Sequence, residues 1–304
     1  MSDGGMDSSR LPSRMRERAE SVARGESAWT VPPARDAATV CLLRDTADGV
    51  EVFLMRRTTS MAFAAGMHVY PGGAVEASDS QVPVAGRADL ARVAARTFSD
   101  DPSAMLVAAA RETFEECGVL LAVAADDAPV TVDDGLEADR VALVANEVTF
   151  ADLLGRRGLR VDDAAIVPFA HWVTPEVEDR RYDTRFFMTA VPEGQDAVYI
   201  AGESDRSAWW RPGDALAASA DGRMAMLPPT AATLAFLAEH ATAASALAAG
   251  AEVEVVPLLP APFLEPDGSV SWHLLHDRTR ERVRFGGEPT ASETDGVAPR
   301  GPES

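Results

Sequence analysis

The 304-residue sequence contains no lysine: all 28 of its basic residues are arginine, set against 48 acidic residues for a formal net charge of −20. General nucleic-acid binding is excluded by that balance, because no basic stripe is present to release counterions from phosphates. Cysteine is nearly absent too. Cys41 and Cys117 alone make no disulfide framework and have no metal-ligand spacing, so both read as small packing residues. No apolar run approaches the ~20 residues that span a bilayer, and the N-terminus lacks an apolar signal core. The expectation is a soluble, cytoplasmic protein with neither nucleic acid nor membrane as partner. Arginine in place of lysine, with abundant alanine, is the usage of a GC-rich bacterial genome.

What the sequence does have is a helix with an unusual polar face. Between residues 107 and 121 the apolar positions Val107, Ala110, Phe114, Cys117 and Leu121 recur every three or four residues, and Gly118 marks the end. Glu112, Glu115 and Glu116 share an arc opposite that stripe. Like charges so spaced cost a helix ~0.2–0.5 kcal/mol per pair, and Arg111, four residues before Glu115, offsets only part of it. Taken alone, this is equally a solvated acidic face in an acidic protein. As a site, its hard oxygen donors suit magnesium or manganese.

Upstream, Val69-Tyr-Pro-Gly-Gly-Ala-Val-Glu76 ends a short apolar run in a turn where Gly72 and Gly73 let the backbone approach a ligand or metal closely. Together, Pro-Gly-Gly-x-x-Glu and Arg111-Glu-Thr-Phe-Glu-Glu-Cys-Gly-Val119 resemble the signature of the Nudix hydrolases, with Thr113 in a slot usually hydrophobic. Two departures stand out. The acid after five intervening residues from Gly73 is Asp79 instead of Glu, and Arg111 lies 38 positions after Gly73 where the uninterrupted pattern has 14, so 24 residues are inserted. An interrupted box, preceded by Met61 to Gly73 and followed by Arg181-Tyr-Asp-Thr-Arg-Phe-Phe187, is similar to the acyl-CoA diphosphatase branch known from peroxisomes. The resemblance covers roughly residues 36 to 250.

It implies an α/β Nudix fold, a mixed β-sheet sandwiched between helices with an added helical region. It also implies magnesium-dependent hydrolysis of a diphosphate in CoA or acyl-CoA. ADP-ribose or nucleotide-sugar hydrolysis, and a non-catalytic Nudix-fold sensor, are the alternatives. Glu112, Glu115 and Glu116, with a backbone carbonyl at Gly72 or Gly73, are implied to hold the cation, and Arg111 to orient the carboxylates. Either Glu116 or Glu203 would act as general base, the latter standing before a Trp209-Trp210 strand as acids do in many relatives; an exposed loop carboxylate is its other reading.

Arg57 leaves a strand just before Thr58-Thr-Ser60 and reads as a phosphate contact or a solvated strand end. In an extended segment Arg181, Asp183 and Arg185 share one face, so Arg181 or Arg185 either binds substrate phosphate or pairs with Asp183. His68 reads as a packed, hydrogen-bonded residue. The expected partners are a small-molecule diphosphate and, at most, a second copy of the chain.

The organisation expected is a disordered or loosely docked segment at 1–35, a single domain at 36–285, and a disordered tail at 286–304 that lacks a peroxisomal ending. Within the domain, 80–102 is an insertion with an amphipathic stretch from Asp89 to Phe98, read as surface elaboration in preference to a lid. Pro228 opens a long alanine-rich helix to Ala249, stopped by Gly250, and strands follow at 252–257 and 270–275.

Overall fold

The computed structural model describes residues 13–26, 28–58, 64–130, 133–198, 200 and 204–283. Apolar residues alternating along Ala34–Thr46 (β1) and Gly49–Arg57 (β2) build an antiparallel hairpin whose two faces feed two cores. Val40, Leu42, Phe53 and Met55 enter one core; Cys41, Leu43, Val52 and Leu54 enter the other. The sheet is completed by His68–Val69 (β3), Gly72–Ala74 (β4), Val167–Val173 (β7), Arg181–Ala190 (β8), Ser204–Trp210 (β9), Pro257–Leu264 (β10) and Val270–His276 (β11). Its order is β11-β10-β7-β8-β1-β2-β3, with β4 also on β1 and β9 on β2. β1 runs parallel to β8 and antiparallel to β2 and β4, so the sheet is mixed. A small second sheet joins Ala122–Val123 (β5) to Arg160–Val161 (β6).

On the first face lies Pro102–Cys117 (α3), whose stripe Val107, Ala110, Phe114 and Cys117 is completely buried. Asp101 accepts from the Ala104 amide at its start, and Gly118 donates back to the Phe114 carbonyl at its end. Thr113, in the usually hydrophobic slot, is buried with its hydroxyl donating to the Ala109 carbonyl, so it costs no unpaired polar atom. Asp134–Val144 (α4) and Phe150–Arg157 (α5) flank α3. Pro212–Ala220 (α6), Pro228–Leu237 (α7) and Ala243–Glu252 (α8) cover the opposite face. The expected sandwich of helices about a mixed sheet is therefore present, and Trp209 and Trp210 lie against opposite cores.

Several sequence expectations need correction. The long helix 228–249 is two helices, because Thr242 and Ser245 form a capping box and Asp45 of β1 accepts from the Ala243 amide. Gly250 does not stop it but lies within α8, where a Cβ would fall 2.0 Å from Met188 Cε: the glycine allows the helix to lie directly on β8. The strand expected at 252–257 begins only at Pro257, since α8 runs through Glu252. Residues 13–23, read as part of a disordered or loosely docked segment with at most a short charged helix at Arg14 to Arg24, do form a helix (α1, Ser13–Ala23), and it is docked, with Ala19 only 2% exposed against Val177 and Trp272. Its apolar side is narrow and its charged residues hide it.

The insertion carries a helix, Leu90–Thr97 (α2), capped by Asp89 and ended by Phe98. Arg96 donates to the carbonyls of Pro168, Gly250 and Val253, so α2 is fastened to β7 and α8. No helix among the described residues is long and apolar enough to cross a membrane. Glu203 and the tail at 286–304 lie outside the described residues.

Candidate active site

Position in this site begins with a buried arginine. Arg111, 4% exposed on α3, donates from Nε to Asp79 Oδ1 (2.9 Å) and from Nη2 to Asp79 Oδ2 (3.0 Å). Asp79 is itself 1% exposed and also accepts from the Glu76 amide, so the aspartate in place of glutamate serves as the anchor of the arginine. Nη2 of Arg111 reaches the Ala74 carbonyl (2.9 Å), tying α3 to β4, while Nη1 holds Glu112 at 2.8 Å and Glu115 at 3.5 Å. The arginine thus connects the two halves of the motif across the insertion.

The Gly-Gly turn lies directly on the glutamates. A Cβ on Gly73 would stand 2.4 Å from Glu112 Oε1, and one on Gly72 2.3 Å from the Ala38 carbonyl. Gly72 has no room for a side chain, and Gly73 has room only where the Glu112 carboxylate moves away. The Gly72 amide donates to Glu116 Oε2 at 2.8 Å. Glu112 and Glu115 line a cleft of about 1240 Å³ together with Gly72, Gly73, Glu76, Arg57 and Arg111. Glu116 does not line it; that carboxylate braces the turn.

Burial holds the Glu115 carboxyl above the ordinary carboxylate range; Arg111 pulls it down, and Glu76 and Asp79 push it further up. Burial disfavours the charge on Arg111, yet the Asp79 hydrogen bonds and the Glu112, Asp79 and Glu115 charges outweigh it, and its proton is held more tightly than usual. Among the described residues no three His, Cys, Asp or Glu side chains stand together closely enough to ligate an ion. In the protein alone, Glu112 is drawn to Arg111 and Glu116 to the Gly72 amide. In kind, however, the donors fit a hard divalent cation: oxygen ligands, partly buried, in a negative cluster answered by one arginine.

Arg181 and Arg185 do not join this site. Arg181 is buried, donating to the Thr174 and Pro32 carbonyls. Arg185, 4% exposed, donates to the Thr97 carbonyl and pairs with Asp36 and, at 3.1 Å, Asp183. Neither lines the cleft, and the ion-pair reading of Arg185 is the one the structure contains. His68 bonds the Ala225 carbonyl and lies outside the cleft.

Three residues escaped sequence reasoning. Arg140, 5% exposed on α4, donates to the Glu115 carbonyl in the last turn of α3, where a cation also suits the helix dipole. Tyr70, buried, donates to the Thr230 carbonyl and so fixes the turn to α7. Glu76, quoted in Pro-Gly-Gly-x-x-Glu but given no role there, adds a carboxylate to the cleft wall beside Glu112 and Glu115.

Comparison with known proteins agrees with this geometry. The NUDT19 Nudix domain model matches residues 88–237, a span that includes α3. The acyl-coenzyme A diphosphatase NUDT19 of Xenopus laevis is 26% identical over 204 residues, covering 55% of this chain and 54% of that protein. The chain thus spans about half the length of that curated relative. A crystal structure of a Nudix hydrolase from Alicyclobacillus acidocaldarius superposes with a TM-score of 0.62 at 28% identity, covering 72% of this chain and 97% of that one. Fold, matched domain and box residues concur in their similarity to the Nudix hydrolases.

Proposed function

We propose that this protein hydrolyses the diphosphate of CoA or an acyl-CoA with the help of magnesium, yielding 3′,5′-ADP and (acyl-)phosphopantetheine. The observation that carries the reading is the buried Arg111–Asp79 pair presenting Glu112 and Glu115 to the cleft against the Gly72–Gly73 turn. Similarity to an acyl-CoA diphosphatase supports the substrate side of it. Glu112, Glu115 and Glu116, with the Gly73 carbonyl, would hold the cation. When bound, such an ion would supply positive charge against that developing on the phosphates and would acidify a water for attack on phosphorus.

The chain's own contribution is positional. Arg111 keeps Glu112 and Glu115 on the cleft wall, and the Gly72 amide sets the orientation of Glu116. Arg57, at the end of β2 on the cleft wall, is the arginine assigned to substrate phosphate; Arg181 and Arg185 are withdrawn from that role by their burial and partners. Glu116 and Glu203 are the two carboxylates put forward to accept the proton of the attacking water, and single Gln variants tell them apart.

The test incubates the full chain with magnesium or manganese and, separately, CoA, acetyl-CoA, ADP-ribose and a nucleotide sugar, with products identified by mass spectrometry. Selective release of 3′,5′-ADP is expected. Cleavage of ADP-ribose alone would keep the chemistry and overturn the substrate; no turnover of any compound would bring the sensor reading forward.

A further inference from the structure

The cleft that begins at the acidic helix ends under the N-terminal helix. Its floor follows one row of facing residues across the sheet: Ala74 on β4, Ala37 on β1, Thr184 on β8 and Trp172 on β7, which pairs in turn with Leu258 of β10, the strand whose Pro260 lines the cleft. Four strand spacings of ~4.8 Å make that row roughly 19 Å long. At its near end Ala74 follows the Gly-Gly turn and accepts from Arg111. At its far end α1 packs on β10 and β11. There Met15 lines the same cleft, with Trp172, Val173, Pro175, Val177 and Pro260.

We propose that α1 closes the acyl end of the substrate cleft and that Met15 sets the acyl length accepted. This rests on the CoA reading above. An extended chain advances ~3.3–3.6 Å per three bonds, so the about thirteen bonds from the phosphorus to the sulfur of CoA span roughly 15 Å. With its diphosphate at Glu112 and Gly73, a substrate laid along the row brings its thioester over β7 and β10, and the acyl chain runs on beneath α1. The wall it meets is apolar at Met15, Trp172, Val173, Val177 and Pro260, as an acyl chain requires, with Arg18, Glu178, Asp179 and Arg180 lining the cleft around them.

α1 is held there with some care. Arg18 donates to the Val177 carbonyl (2.7 Å), pairs with Asp179 (3.0 Å) and stacks 3.6 Å over Trp29, whose indole donates to the Glu176 carbonyl. These contacts fix the helix to the 176–179 turn while Ala19 and Val22 pack beside Met15. Both α1 and β10 lie outside residues 88–237, so this end of the cleft is built from parts the matched domain does not include.

The experiment measures kcat/KM for CoA, acetyl-, octanoyl- and palmitoyl-CoA in the parent and in Met15→Trp, Met15→Ala and Met15→Leu. Met15→Trp is expected to lower the palmitoyl-CoA to CoA ratio about tenfold or more, on the scale of a methylene misfit in an apolar pocket. Met15→Ala should move the preference to longer chains, and Met15→Leu should keep the parent ratios. A purely structural helix would change all four substrates in parallel. Unchanged ratios in variants that still cleave CoA overturn the role of α1 alone, whereas absence of any CoA cleavage by the parent overturns the underlying function and this inference with it.

Discussion

Two arginines in this molecule, Arg111 and Arg185, are equally buried at 4% exposure and both sit among carboxylates, yet they do opposite things. Arg185 is enclosed: its donors go to the Thr97 carbonyl, Asp36 and Asp183, and Asp183 also pairs with His171, so the insertion helix, β7 and β8 are fastened together. Arg111 has one side enclosed by Asp79 and the other turned to Glu112 and Glu115 on the cleft wall. Burial alone does not distinguish structure from function. What does is whether negative charge remains open to the cleft after the arginine has been satisfied.

The comparison is broken most directly at the glutamates. Glu116→Gln is expected to lower turnover of the cleaved substrate by about a hundredfold or more, on the scale of removing a preorganised charge at a reacting centre, with an unaltered thermal melt. Full activity in that variant would remove Glu116 from the mechanism and leave Glu112 and Glu115, which line the cleft, to carry it. Next come the arginines themselves. Arg111→Met leaves Asp79 buried and unpaired, so a loss of ~3–5 kcal/mol is expected together with loss of activity. Arg185→Met should fall at or below the lower end of that range, since Asp36 is 55% exposed and screened by solvent. Its folded fraction should retain parent kcat. Urea melts paired with active-site titration separate the two; a catalytic defect in Arg185→Met beyond its unfolded fraction would return it to the site.

Arg-Glu-x-x-Glu-Glu and Gly-Gly were legible because periodicity and residue type state their chemistry locally. The roles of Arg181 and Arg185 were not, because strand alternation places side chains on a face without saying what the opposing layer is. Here that layer is Thr97 of the insertion and the segment at Pro32, both distant in sequence. Asp79 was legible as the motif's acid but not as the partner of Arg111, since 31 intervening residues carry no sign of that closure. The split of the 228–249 helix was readable in Thr242 and Ser245, whose capping box was outweighed by alanine propensity. Nothing local announces that α1 docks, because the surfaces it meets, Val177 and Trp272, lie far along the chain.

A smaller effect sharpens the geometry at the turn. In Gly73→Ala the new methyl takes the space of the Glu112 carboxylate, the end of a side chain able to rotate away. Stability should therefore change by no more than about 1 kcal/mol, the Gly-to-Ala backbone gain working against the crowding, while activity falls roughly tenfold as Glu112 leaves its place. Gly72→Ala meets the Ala38 carbonyl, which is backbone and has no such escape, so that variant should lose stability first. Equal melting temperatures for the two variants would contradict this assignment of the contacts.

The smallest effect expected is a pH dependence of stability at the enclosed cluster. His171 is 3% exposed; burial depresses its pKa below the ordinary histidine value, against the pull of Asp183, with Arg185 adding to the depression and Asp277 opposing it. A depressed folded pKa means the unfolded chain binds the proton first. The contribution of His171 is thus fully present above the unfolded pKa, near ~6.5, and is lost as pH falls from there through the folded value. One proton limits the slope to ~1.4 kcal/mol per pH unit. Glu115, held up where His171 is held down, works in the opposite sense at lower pH, its folded form losing stability as pH rises through its raised pKa. Urea melts from pH 8 to pH 5.5 should therefore show a decline that His171→Gln flattens and Glu115→Gln leaves in place; the same slope in His171→Gln would mean that the enclosed cluster is already charged, and that its balance of charge resembles the open one after all.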